Sequence, residues 1–418
     1  MEFVSKNILW LIANELSNQD LMNLCLSKKR YYDEVCNNKY FWYWRIYKRF
    51  GYIDSLRTEN LNSKCIWDIL TMNTLYMFGR NGYGQLGTGD TQNKSVPTEI
   101  MNDIKYVSCG EFHTGLITTD NKLFMFGRNR SGELGTGDTQ NKLIPTNVMN
   151  DIRYVSCGGW YTGVITTDNK LFMFGYNGFG QLGTGDNEFG QLGTGDKQNR
   201  STPIFVMNNI KYVSCGEDHT GVITTYNKLF MFGRNNNGQL GTGDAQNRLK
   251  PTNVMNDIKY VSCGDQHTGV ITTDNKLFMF GRNSYRRLGT GDTLERSVPT
   301  HVMDDIRYVS CGGYHTGVIT TDNKLFMFGY NGNGQLGTGD TQGRSKPTNV
   351  MNDIKYVSCG EYTGVITTDN KLFMFGDNGN GQLGTGESGL NTDKCKPIEI
   401  MNNVRYVSCS LSHTGVIC

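Results

Sequence analysis

From about residue 73 onward, short runs in which apolar and polar positions alternate are separated by polar stretches rich in glycine. Tyr212-Val-Ser-Cys-Gly216, His219-Thr-Gly-Val-Ile-Thr-Thr225 and Leu229-Phe-Met-Phe-Gly233 follow one another in this way. Their period of two and their β-branched and aromatic content predict three short strands. The turn between the second and third strands is usually Thr-Asp-Asn-Lys, as at Thr119 to Lys122, where Asp-Asn can supply the positive φ of a tight hairpin. Gly238-Gln-Leu-Gly-Thr-Gly-Asp244 then opens a longer loop, often with a proline such as Pro97 or Pro251, which leaves room for a further strand.

This unit recurs. Met-Phe-Gly begins at Met77, Met125, Met173, Met231, Met279, Met327 and Met374, a period of 48 with one long and one short step. The long step holds a tandem copy, Phe179 to Asp186 recurring at Phe189 to Asp196, and the short step lacks a residue between Cys359 and Thr363. Both irregularities are expected in loops. One small antiparallel sheet cannot bury both of its faces alone, and stacking seven of them radially solves this, so the period predicts an all-β seven-bladed propeller. The first Met-Phe-Gly strand precedes any Val-Ser-Cys block, and the last such block (Val407 to Cys409) has no Met-Phe-Gly strand after it. The two ends therefore pair only if they share a blade, which also removes an open sheet edge. These repeats, with the phrase His-Thr-Gly…Phe-Gly-x-Asn-x-x-Gly-Gln-Leu-Gly, closely resemble those of the regulator of chromosome condensation family. The resemblance implies a seven-bladed propeller used for guanine-nucleotide exchange on a small GTPase or, more widely, as a protein-binding platform.

The first residues follow a different pattern. Ile8, Leu11, Ile12 and Leu16 fall on one helical face, and no glycine occurs before Gly51. The division expected is a small all-α domain over 1–52, a linker over 53–72 and the propeller over 73–418. The order Ile8-Leu…Leu16-Ser-Asn-Gln-Asp20-Leu-Met-Asn-Leu24-Cys…Tyr31-Tyr…Tyr40-Phe-Trp42…Tyr47-Lys-Arg-Phe-Gly51 resembles an F-box. That resemblance implies docking to a Skp-type adaptor of cullin ubiquitin ligases, with Ile8, Leu9, Ile12, Leu21 and Leu24 as contacts by position. The alternative is a helical cap in which the same residues pack on each other or on the propeller.

Lys+Arg of 41 against Asp+Glu of 39 leaves a net charge of +2, which speaks against a nucleic-acid or acidic-membrane partner. Neither a secretory signal nor a membrane span is legible. Of the 12 cysteines, seven (Cys109, Cys157, Cys215, Cys263, Cys311, Cys359, Cys409) share one slot of the repeat, too far apart in a ring to bridge. They read as buried thiols of an intracellular protein, cytoplasmic rather than nuclear.

Several residue sets look chemical. Gly82-x-Gly84-x-x-Gly87 has dinucleotide-binding spacing but is followed by Thr-Gly-Asp, so it reads as a propeller turn and no cofactor is expected. His113, His219, His267, His315 and His413 recur like a ring of metal ligands, yet Tyr161 and Tyr362 take that place in two blades, so a hydrogen bond within the blades is expected instead. Asp90 and its equivalents read as turn-satisfying carboxylates, and no nucleophile pairs with a base. What breaks the symmetry is more informative. Phe112, Trp160 and Tyr314 after Val-Ser-Cys-Gly, and Arg286 and Arg287 in a glycine loop, are the residue types of binding hot spots, although drift in loops would also vary them. The function expected is a non-catalytic adaptor: a cullin-ligase subunit that holds an unnamed protein target on one propeller face. The alternatives are exchange on a small GTPase, or a scaffold with no ligase link.

Overall fold

The structure, a computed structural model, describes residues 73–178 and 199–418. The expected N-terminal helices, their five candidate contacts and the tandem copy lie outside the described residues. Thr74–Cys418 forms one compact unit. Its strands are numbered β1 to β28 in chain order among the described residues, and they pair into seven four-stranded antiparallel sheets.

One blade shows the rule. Strands β3 (Ile104–Cys109), β4 (His113–Thr118), β5 (Leu123–Gly127) and β6 (Lys142–Met149) lie side by side in chain order, the first three where the alternating pattern places them. The fourth contains the loop proline. Pro145 is tolerated there because β6 is an edge strand whose outer side needs no amide donor. In the β4–β5 hairpin the asparagine supplies the positive φ (Asn121, 63°) and the aspartate before it does not.

The ring closes as the ends of the repeat require. The sheet order β2–β1–β28–β27 joins β1 (Leu75–Gly79) and β2 (Lys94–Met101) to β27 (Tyr406–Cys409) and β28 (His413–Ile417). All five residues of β1 pair with β28, from Leu75 opposite Ile417 to Gly79 opposite His413.

The core sits between blades. Ile271, Leu277 and Met279 of one blade pack with Ile306, Val309, Val318 and Phe328 of the next, all fully buried. Each such side chain contributes about 1.5–3 kcal/mol, so a blade is stabilised mainly by its neighbours.

Three polar belts reinforce this stacking. In all seven blades the serine Oγ of the innermost strand accepts the cysteine amide of the next blade at 2.9 Å, as from Cys157 to Ser108. The histidines and the two substituting tyrosines reach a threonine of the next blade, His113 to Thr162 at 2.9 Å and Tyr362 to Thr414 at 2.7 Å, which is the hydrogen bond expected from the sequence. The proton assignment follows from the network. Thr114 gives its only hydroxyl proton to the Gln85 carbonyl, so the His413 ring must donate to it from Nε2. Burial pushes the pKa of His113, His219, His315 and His413 down to about 3, so these rings are neutral struts. Finally, Tyr106, Tyr154, Tyr212, Tyr260, Tyr308, Tyr356 and Tyr406 form a closed ring of aromatic contacts, centroids 4.8–5.0 Å apart, around the axis.

The seven repeat cysteines are free and 7–8% exposed, and burial raises their pKa, to about 12 for Cys157. Such thiols are inert. The two faces of the ring now have names. The turn face carries the β4–β5 hairpins and receives the chain at Thr74, and the loop face carries residues 110–112 and 128–141 with their equivalents.

Candidate partner-binding face

The glycine phrase builds the loop face. After β1, Asn81 is fully buried; its Oδ1 accepts the Leu86 amide, and its Nδ2 donates to Thr88, to Asp90 Oδ1 and to the Asp90 carbonyl. Asp90 Oδ2 pairs with Lys94 at 3.0 Å. Asp90 therefore does what the sequence implied, closing a turn, and the lysine beside it holds its pKa near 2. No helix follows these glycines, so the dinucleotide spacing is a propeller turn. The phrase is rigid scaffolding, and the residues around it supply the surface.

Two regions stand out on that surface. Arg128 lies between the Phe112 and Trp160 rings, 5.8 and 5.0 Å from their centroids, and Arg80 also lies over Phe112 at 5.6 Å. Tyr83 packs edge-on against Phe112 at 5.4 Å and Trp160 against Tyr176 at 5.5 Å. Across the ring, Tyr285, Tyr314 and Tyr330 form a second aromatic group. Trp160 is 38% and Tyr314 37% exposed.

The second region is the mouth of the central channel, a cavity of about 310 Å³ bordered by Glu111, Glu217, Asp265 and Glu361. A Cβ built on Gly313 would stand 2.2 Å from Glu361 Oε1 and 3.1 Å from Asp265 Oδ2, so two of these carboxylates converge over one glycine. Burial pushes Glu111 and Glu361 up to about 7, helped by the charge of Glu217 on the first and of Asp377 on the second. Asp265 is raised for the same reasons, against the pull of Arg287. The mouth sheds negative charge as the pH falls through neutrality. Among the described residues no three His, Cys, Asp or Glu side chains are placed to hold a metal.

Four of the five loop candidates lie where a partner could reach them. Phe112 is half-buried, Trp160 and Tyr314 are exposed, and Arg286 is exposed at φ 65°, where other blades have a glycine such as Gly84. Arg287 is a correction. It stands in the slot of Gln85 and Gln335, fully buried; its Nη1 donates to the Gly313 carbonyl at 2.8 Å, with Tyr285 and Tyr314 stacked at 5.3 and 5.0 Å. Its guanidinium braces the channel wall instead of facing a partner. The carboxylates were missed, although they sit one residue before the aromatic positions and vary as much: Glu111, Gly159, Glu217, Asp265, Gly313, Glu361, Leu411.

Seven four-stranded blades closed around a channel by a shared first and last blade define the class, a closed seven-bladed β-propeller. Residues 184–416 match the model of the RCC1-like domain, and the chain belongs to that family. Residues 73–117 and 120–165, and 104–133 and 152–181, match two models of the regulator of chromosome condensation (RCC1) repeat. Among solved structures, human WBSCR16 is 22% identical with a TM-score of 0.71, over 83% of this chain and 98% of that one. Prp20p of Saccharomyces cerevisiae is 18% identical with a TM-score of 0.71, over 83% and 92%. Yeast RCC1 (Prp20) bound to Kap60 gives 18% and 0.72, over 82% and 88%. No curated protein matches the chain.

Proposed function

We propose that the protein is a non-catalytic, intracellular interaction module whose loop face holds a protein partner. One observation carries this. The three inner strands of the copies are nearly identical, and the loop face gathers aromatics that differ between them, Phe112, Trp160 and Tyr314, with arginines packed on their rings and four carboxylates at the channel mouth. Large aromatics and arginines at the centre of a patch are where binding energy concentrates, about 2 kcal/mol or more each. The His–Thr pairs are no substitute for an active site, being fully buried and repeated around the ring.

The second half of the reading rests on the F-box resemblance of residues 1–52. It makes the chain a substrate-recognition subunit of a cullin-type ubiquitin ligase, docked to a Skp-type adaptor through Ile8, Leu9, Ile12, Leu21 and Leu24. Exchange on a small GTPase is the other reading. The similar Prp20p is described with binding properties to Gsp1p and histones, which favours testing it.

Capture with the intact chain and two variants tests both halves. Phe112→Ala/Trp160→Ala/Tyr314→Ala is expected to lose the target by about a hundredfold or more while keeping the adaptor. Ile8→Asp/Ile12→Asp/Leu21→Asp is expected to do the reverse. An adaptor held by neither the intact chain nor the first variant removes the ligase reading. A target held equally by all three removes the loop face as its site, and a captured small GTPase moves the question to nucleotide exchange.

A further inference from the structure

The turn face carries charge that the reading above leaves unused. The residue before each channel tyrosine is basic in every blade: Lys105, Arg153, Lys211, Lys259, Arg307, Lys355 and Arg405. These side chains encircle the mouth opposite the carboxylates, just outside the tyrosine ring.

They are held by neutral acceptors. Lys105, Lys211, Lys259 and Lys355 donate to the Oδ1 of Asn121, Asn227, Asn275 and Asn370 at 2.7–3.1 Å. Arg153 Nη2 donates to the carbonyls of Ile210 and Lys211 in the next blade, at 2.7 and 3.0 Å, and Arg307 Nη2 to those of Ile354 and Lys355, at 2.6 and 3.1 Å. Burial lowers the pKa of both arginines. The hairpin asparagines that grip the lysines sit at φ 59–64°, where glycine costs less; what asparagine adds is a side chain that positions the cation. Asp103, Asp151, Asp257, Asp305 and Asp353 share this face, but none forms an ion pair with the first six of these cations. The outer lysines Lys122, Lys276 and Lys324 are instead neutralised by their own hairpin aspartates at 2.8–2.9 Å. The first six of these cations are therefore oriented by uncharged groups, with no ion pair to another described residue.

We propose that this mouth binds a multiply phosphorylated compound, a soluble polyphosphate or a phosphorylated lipid headgroup, whose phosphates spread over the ring of cations. A compact ligand with several dianionic groups can bridge cations arrayed around one axis, and Arg and Lys are the usual partners of phosphate.

Titration calorimetry of the full chain with inositol hexakisphosphate at low salt tests this. Binding is expected, and Lys105→Gln/Lys211→Gln/Lys259→Gln should weaken it by about tenfold or more. Lys122→Gln/Lys276→Gln/Lys324→Gln removes the same charge from the same face away from the axis, and should change it by less than about twofold. No binding by the intact chain, or equal losses in the two variants, overturns the proposal. Once binding is seen, co-sedimentation with vesicles containing a phosphoinositide identifies the source: retention assigns the headgroup, and its absence assigns the soluble compound.

Discussion

Removing residues 404–418 is expected to abolish the cooperative fold of the propeller, the largest effect of any change considered. The deletion takes away β27 and β28, so β1 loses every partner on its inner side and its blade keeps two strands. Val404, Val407, Val416 and Ile417 leave the core they share with Phe78, Ile366 and Leu75. At about 1.5–3 kcal/mol each, these four match the whole margin of about 5–15 kcal/mol by which a domain is stable. Three belts also open, at Cys109 to Ser408, Thr114 to His413 and Tyr106 to Tyr406. A circular permutant with the same segment placed before β1 serves as the control. The Cys418 amide already donates to the Thr74 carbonyl at 3.1 Å, so the two points to be joined are adjacent. Circular dichroism during urea unfolding should show one cooperative transition for the intact chain and the permutant and none for the deletion. A cooperative transition in the deletion would mean that the ring does not depend on the shared blade.

A single methyl group comes next in size. Gly329 ends β21 (Leu325–Gly329) at φ 115°, and a Cβ there would lie 2.6 Å from the Tyr314 carbonyl oxygen and 2.7 Å from the His315 Cα. Both obstacles are backbone, at the start of the neighbouring strand and the residue before it, so neither can turn aside as a side chain could. Gly329→Ala combines positive-φ strain with overpacking, each about 1–3 kcal/mol, and is expected to lower stability by roughly 3 kcal/mol or more. Gly82→Ala is the comparison, since only Arg80 Nε at 3.9 Å comes near its Cβ and its φ is not positive; it should stay within about 0.5 kcal/mol. Equal urea midpoints for the two variants would contradict the packing described here.

The contrast between these glycines shows what one chain makes legible and what it hides. The period, the three inner strands and the closure could be read from the repeat and its two ends, as could the hydrogen bond that the histidine-to-tyrosine exchange implied. The belts could not, since Ser108 meets Cys157 one repeat away and nothing within a single unit marks the pairing. Arg287 looked like a surface residue because glycine loops are usually exposed, and its slot turned out to be the buried one that Gln85 and Gln335 fill elsewhere. The carboxylates and the inner cations escaped notice for opposite reasons. Glu111 and Asp265 vary among the copies but gain meaning only when the ring brings them to one mouth. Lys105 and its equivalents never lose their charge, so they read as an ordinary solvated strand position until Asn121 was seen to hold one of them.

The most direct test of the central claim, that the loop face is the binding surface, is hydrogen–deuterium exchange on the full chain with and without its captured partner. The account predicts new protection at residues 110–113, 128–133, 158–161 and 312–315 and none at the hairpins 118–122 and 320–324. Protection confined to those hairpins, with the loop face exchanging as in the free protein, would contradict it.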